Sequence, residues 1–313
     1  AGSTDRIEGK DVSMNRRTFT KTILAGLGAA ALPAVPAAQA PARKLKIGIT
    51  TLIWGAVPRT PENLEPALKD SSELGYHSFE TFASILEDWD KKGTLGALLE
   101  KYPIPLRSAF VTVNVTDPSA RKGQIEMLQR YARILKKYGG SFLVQSPNGP
   151  RTNYNFAEHK ANIIAALNEY GKAVNDAGLG TGLHQHTGTA VETREETYAV
   201  LHAVDTRYMK FAPDIGQAQK GGTDAAQLVK DFASIIVHMH LKDYKGWEHM
   251  AGYTPLGEGV VDVKSVLETM EKANSSANIM HELDGSQGMP YTPRQTAEIS
   301  RKFVQSLGYT FRA

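Results

Sequence analysis

Residues 235–243 read Ile235-Ile236-Val237-His238-Met239-His240-Leu241-Lys242-Asp243. The run is rich in β-branched and long apolar residues, as strands are. Successive side chains of a strand point to opposite sides. One set, Ile235, Val237, Met239 and Leu241, is wholly apolar and is expected to pack on a helix layer. The other set, His238, His240 and Lys242, faces the opposite way. Three titratable side chains turned inward are costly in a plain core. They suit the C-terminal mouth of a parallel barrel, where such folds keep their sites.

Outward from this run the chain keeps a regular beat. β-rich runs occupy residues 45–52, 78–82, 106–113, 142–145, 182–186, 209–214, 235–243 and 278–284. Segments with helical spacing lie at about 62–74, 94–101, 119–138, 157–177, 194–204, 224–232, 263–273 and 293–306. Strict alternation implies parallel βα units. Eight of them predict an α/β protein with a single-domain (β/α)8 TIM barrel. Thr60-Pro61 and Thr292-Pro293 place an N-cap before a first-turn proline, and Thr193-Arg194-Glu195-Glu196 fits a capping box. An open doubly wound sheet would want a glycine-rich phosphate loop after the first strand, and Leu52-Ile53-Trp54-Gly55 is not one.

The N-terminal region reads differently. Residues 1–13 are expected to be a leader ahead of a natural start at Met14. Arg16-Arg17-Thr18-Phe19-Thr20-Lys21, a short apolar stretch and Ala38-Gln39-Ala40 make residues 14–40 resemble a Tat-type signal peptide. That predicts an exported, periplasmic protein with no membrane association after cleavage, and places the barrel at residues 41–313. The whole chain carries 36 basic and 33 acidic residues; residues 1–40 hold five and three of these, so 31 and 30 remain. A nearly balanced charge offers no footprint for nucleic acid. The chain has no cysteine, which excludes disulfides, thiolate nucleophiles and cysteine-held zinc.

The inward-facing pattern recurs on neighbouring strands. His184 and His186 share a face opposite Leu183; the run from Met209 ends in an inward Asp214; Glu282 and Asp284 face inward while His281 faces the helices. Strands five to eight thus each bring an inward His, Asp or Glu to their final turns. His184, Asp214, His240 and Glu282 form a mixed nitrogen and oxygen set suited to one divalent ion, with Mn2+ or Co2+ foremost and Zn2+, Fe2+ or Mg2+ as alternatives. Ligands on separate strands leave positions open for substrate oxygens, which favours a Lewis-acid role. His77, His159, His202 and His249 read as surface or loop residues.

These segments resemble the xylose-isomerase-like barrel superfamily, also called sugar phosphate isomerases/epimerases. The resemblance runs from Lys46-Ile47-Gly48 to the last helix. It rests on Glu80 after Gly75-Tyr76, on Pro213-Asp214-Ile215-Gly216, on His238-Met239-His240-Leu241-Lys242-Asp243, on Gly257-Glu258-Gly259-Val260-Val261-Asp262 and on Glu282. By that resemblance His184, Asp214, His240 and Glu282 are the metal ligands. The stretch His184-Gln185-His186-Thr187-Gly188-Thr189 is similar to one in inosose dehydratases. Two departures stand out: His184 replaces the glutamate that many epimerases use as one of two opposed bases, and Gln217 replaces the histidine of D-T-G-H.

The expected function is a lyase or hydratase acting on a keto-sugar, keto-glycoside or inosose, by α-proton abstraction through a metal-stabilised enediolate. His186 is the expected base. Lys242 is expected to stabilise the oxyanion or protonate the leaving group. Trp54, Glu80, Gln217 and His238 are expected to contact substrate or support the site. An isomerase or epimerase on the same metal is the alternative, and a non-catalytic periplasmic sugar-binding protein a more distant one. The expected partner is a small carbohydrate, with homodimers common in the family.

Overall fold

The computed structural model describes residues 43–55, 60–149, 151–285 and 288–313. The expected leader and signal segment lie outside the described residues. Eight parallel strands form the centre: β1 Ile47–Thr50, β2 Phe79–Phe82, β3 Leu106–Val113, β4 Phe142–Pro147, β5 Gly180–Leu183, β6 Lys210–Phe211, β7 His238–Leu241 and β8 Asn278–His281. They pair in the order β6-β5-β4-β3-β2-β1-β8-β7. Parallel bridges Phe211 to Ile236 and Asp214 to His240 join the two ends, so the sheet closes on itself. This is the expected (β/α)8 barrel.

The helices are α1 Leu64–Glu73, α2 Ala83–Lys91, α3 Leu95–Lys101, α4 Arg121–Lys137, α5 Phe156–Asp176, α6 Arg194–Leu201, α7 Ile215–Lys220, α8 Ala225–Phe232, α9 Val263–Ala273 and α10 Pro293–Ser306. Amphipathic spacing explains them. In α9 the buried side chains are Val263, Val266, Leu267 and Met270, one stripe along the helix. Capping boxes form at Thr193 with Glu196 and at Thr292 with Gln295, as the sequence implies. Thr60 makes no cap bond; Pro61 opens a short 3-10 turn ahead of α1 instead.

Two helices were not anticipated. α2 starts directly at the end of β2, with Phe82 as its uncapped first neighbour, so no turn signal announces it. α7 follows Asp214 at once. The strands also stop earlier than expected. Lys242 lies just beyond β7, and Asp243–Tyr244 pairs antiparallel with Tyr253–Thr254 as a small hairpin over the mouth.

The barrel interior is narrow enough to dictate residue size. Phe142, Val144 and Ala212 form an inner cluster with Phe110 and Val237. Val237 was expected against the helices, but at the strand start it packs inward. A Cβ on Gly180 would meet the Phe142 ring at 2.9 Å, and one on Gly182 would meet it at 3.1 Å. Met239 and Leu241 join the outer core, as expected.

His281 also faces the helix layer as expected. It is 1% exposed. Its Nδ1 lies 3.2 Å from the Tyr76 hydroxyl, which donates to Ala297 O at 2.9 Å. Burial pushes the imidazole pKa down to about 3. The unfolded chain takes up that proton near pH 6.5 and the folded one does not, so stability is full above about 6.5. It is lost as pH falls towards about 3, by on the order of 4 kcal/mol. Thermal melts between pH 7 and 5 are therefore expected to show a shallower loss for His281→Gln than for the wild type. Parallel slopes would contradict this.

Candidate active site

The cluster sits where the strands end. His184 follows β5, Asp214 caps α7 two residues after the loop leaves β6, His240 is in β7 and Glu282 follows β8. None is more than 6% exposed. Each ties one atom to the protein and leaves another for the common centre. His184 Nδ1 is 3.1 Å from Ala212 O, a carbonyl that only accepts, so Nδ1 carries the proton and Nε2 a lone pair. Asp214 Oδ1 accepts from Gln217 N at 3.0 Å, while Oδ2 faces the centre beside the Lys242 ammonium. His240 Nε2 lies 2.7 Å from Glu80 Oε1, which leaves Nδ1 without a hydrogen bond. Glu282 Oε2 stands 3.2 Å from that Nδ1.

His184 Nε2 and Asp214 Oδ2 are 4.0 Å apart, and one donor atom each from His184, Asp214 and His240 lies within 4.8 Å of the others. Nitrogen and oxygen atoms converging in this way fit a divalent ion with mixed ligands. Burial holds the His184 imidazole well below its usual pKa, and it stays neutral as a ligand must. Burial opposes charge on His240 and Glu282 as well. The carboxylates of Glu282 and Glu80 nonetheless raise His240, and His240 with Lys242 holds Glu282 well below the ordinary carboxylate range.

Glu80 was expected in the substrate pocket and lies beneath it instead. It is 1% exposed. It accepts from Ser108 Oγ at 2.6 Å and stands 2.9 Å from His238 Nε2. It therefore orients His240, the usual task of a carboxylate behind a ligand histidine. His238 is fully buried, with its ring stacked on Phe142 at 5.0 Å, and does not reach the cavity. Trp54 also points elsewhere: its indole N–H donates to Asp70 in α1 at 2.9 Å.

Lys242 is fully buried. Its Nζ lies 2.8 Å from Asp214 Oδ2, 2.7 Å from Glu282 Oε1 and 3.1 Å from Asp284 Oδ2. Burial opposes its charge, but these carboxylates carry its pKa well above the usual lysine value. Its stem passes Gly216, where a Cβ would sit 2.7 Å from Lys242 Cγ. The glycine of Asp214-Ile215-Gly216-Gln217 is thus the space the lysine needs. Asp243 serves the mouth from outside. It accepts from Gly257, Gly259 and Val261 N, each at 3.0 Å, and a Cβ on Gly259 would collide with its carboxylate.

His186 donates from Nδ1 to Thr187 O at 2.7 Å. Its Nε2 receives the Gln217 amide at 2.8 Å, and Thr187 Oγ1 fixes that amide by donating to Gln217 Oε1 at 2.6 Å. Gln217, expected at the substrate, acts on His186. A cavity of about 310 Å3 opens above the cluster. Leu52, Phe82, Phe110 and Pro147 give it an apolar wall; Thr112, Ser146, Asn148 and Thr189 line it with polar groups. His184, His186, Glu282 and Asp284 reach it from the floor and rim. Asp284 is a site residue that the strand pattern marks only as inward, by the face it shares with Glu282. Thr112 and Asn148 carried none, because only barrel closure brings them here.

A parallel eight-stranded barrel with a buried imidazole and carboxylate cluster at its C-terminal mouth defines a class of small-molecule enzymes. Residues 68–307 match the xylose isomerase-like TIM barrel family, and the chain belongs to that family. An inosose dehydratase of Clostridium botulinum (strain Alaska E43 / Type E3) is 23% identical over 294 residues, covering 84% of this chain and 97% of that protein. One from Geobacillus kaustophilus (strain HTA426) is 25% identical over 217 residues, or 64% of this chain and 70% of that protein. The same fold recurs in an IolI protein with a bound zinc atom (TM-score 0.67, 16% identity, 84% of this chain and 98% of that one). It recurs in the 3-keto-D-glucoside 4-epimerase YcjR of E. coli (TM-score 0.63, 15% identity, 84% and 98%). With curated relatives that are inosose dehydratases, the expectation of a sugar-processing enzyme stands. The expectation of export is corrected: the matched relatives are inosose dehydratases, and their likeness gives the periplasmic assignment no support.

If Glu80 orients His240, Glu80→Gln should weaken metal binding by about 10–100-fold, read by competition with a chromogenic chelator. An unchanged affinity would show that His240 is oriented without it.

Proposed function

We propose that this chain is a divalent-metal-dependent dehydratase of a keto-sugar, keto-glycoside or inosose. One observation carries the reading: a donor atom each of His184, Asp214 and His240 lies within 4.8 Å of the others, Glu282 Oε2 stands 3.2 Å from His240 Nδ1, and His184 and Glu282 line the cavity of about 310 Å3 beside them. Mn2+ or Co2+ suits that donor set best, with Zn2+ as a further candidate. The ion would supply Lewis-acid polarisation of a substrate carbonyl and a neighbouring hydroxyl.

The chain's own groups do the rest. His186 is the proposed base: its Nδ1–H is committed to Thr187 O, so Nε2 is the basic nitrogen. Gln217 holds that nitrogen until substrate displaces the amide, which makes Gln217 a positioning residue. Lys242 serves as a fixed positive charge rather than a proton donor, because three carboxylates hold its proton. The apolar wall suits the C–H face of a sugar ring, and the hydroxyl and amide wall its edge.

Elimination is favoured over epimerisation by His184. With an imidazole in place of a second metal-bound glutamate, Glu282 has no carboxylate facing it from β5. The names of the curated relatives support the same choice.

Elemental analysis is expected to find about one divalent ion per chain in the wild type and none in His240→Ala. Activity of that variant should fall by more than about 100-fold, beyond the loss from a merely supporting residue. In D2O, NMR should show a new unsaturated product, formed with loss of water from an inosose or of the aglycone alcohol from a 3-keto-glycoside. Deuterium at one carbon with every oxygen retained would instead establish an epimerase. Absence of metal together with absence of turnover would remove the proposal.

A further inference from the structure

Tyr253 has no part in the roles assigned above. It stands opposite Tyr244 in the small hairpin that begins one residue after Lys242. The Lys242 ammonium lies over its ring, 4.7 Å from the centre. The residue is 1% exposed, and its hydroxyl has no hydrogen-bond partner. Buried hydroxyls are nearly always satisfied, and an unsatisfied one is a burden on stability. The groups that act on this one are those of the site: Lys242, Asp214, Asp284 and Thr187. Lys242 is committed to three carboxylates, and the Thr187 hydroxyl, whose own proton goes to Gln217, offers the phenol only its acceptor side.

The backbone that delivers Tyr253 is strained. Met250 (φ 49°), Ala251 (φ 55°) and Gly252 (φ 93°) are successive left-handed residues, and two of them carry a Cβ. Side chains disfavour that region, and such strain persists where the surroundings hold a position that matters. Here Met250 is buried, Lys220 Nζ donates to Ala251 O at 2.8 Å, and the Trp247 indole N–H donates to Tyr253 O.

We infer that the Tyr253 hydroxyl is a substrate-contacting group, a hydrogen-bond donor to an oxygen of the polyol held above the cluster, on the side of Lys242 and Asp284. The identity of that ligand rests on the dehydratase reading. Burial keeps the phenol protonated far above its ordinary range despite the nearby Lys242, so it donates to a substrate oxygen without ionising.

Tyr253→Phe removes one oxygen and nothing else; Tyr244→Phe, on the facing strand, is the control. Metal-loaded proteins would be compared by thermal melting, by turnover of inosose, and by calorimetric titration with myo-inositol. The expected result for Tyr253→Phe is an equal or higher Tm, a loss of about 100-fold in kcat/KM and roughly tenfold weaker myo-inositol binding. Wild-type kinetics and binding in the variant would overturn the inference. So would a marked fall in Tm, because the hydroxyl would then serve the fold. If the wild type turns over neither inosose nor keto-glycosides, the dehydratase reading fails, and the myo-inositol titrations still decide on Tyr253. A wild type that binds no polyol would overturn both.

Discussion

The ammonium of Lys242, enclosed by Asp214, Glu282 and Asp284, is the interaction on which the rest of this structure turns. Carboxylates brought into a barrel interior lose their hydration and need countercharge close at hand. One lysine does not balance three acids with Glu80 below them. Without an ion, a proton on His240 between Glu80 and Glu282 makes up part of the difference. A divalent cation would take over that work and release the proton, so metal binding, charge balance and stability of the mouth are linked.

Packing follows from this charge cluster. The lysine stem needs Gly216 beside it, and the Phe142 ring that floors the cluster needs Gly180 and Gly182. Asp243, immediately after Lys242, gathers the N–H groups of the Gly257–Val261 turn and so fixes the loop between β7 and α9. The glycines of these motifs are therefore spatial allowances for a neighbour's side chain. A methyl group at Gly216 or Gly259 would collide with the residue that each accommodates.

The site is layered by depth. Phe142, His238, Glu80 and Ser108 form a dry base that sets the orientation of His240. The four candidate ligands and Lys242 form the next level. His186, Asp284 and the mixed cavity wall form the uppermost level, which opens on the cavity. Rigid strand ends carry the ligands and loops carry the rim, a division that lets barrel enzymes of one family change substrate while keeping the metal centre.

Much of this was legible in the chain alone. Period-two alternation in residues 235–243 separates Met239 and Leu241 from His240 and Lys242 whatever the rest of the fold does, because strand geometry is local. The eight-fold beat implies the barrel, and the barrel implies that inward residues at successive strand ends converge; His184, Asp214, His240 and Glu282 follow from that. Three things were decided only in three dimensions. Depth along the barrel axis placed Glu80 and His238 below the centre rather than in the pocket, and a strand pattern carries side but not depth. Hydrogen-bond choice turned Gln217 towards His186 and Trp54 towards Asp70, and such partners are distant in sequence. The hairpin after Lys242 brought Tyr253 over the site through left-handed backbone at Met250 and Ala251, residue types that give no turn signal of their own.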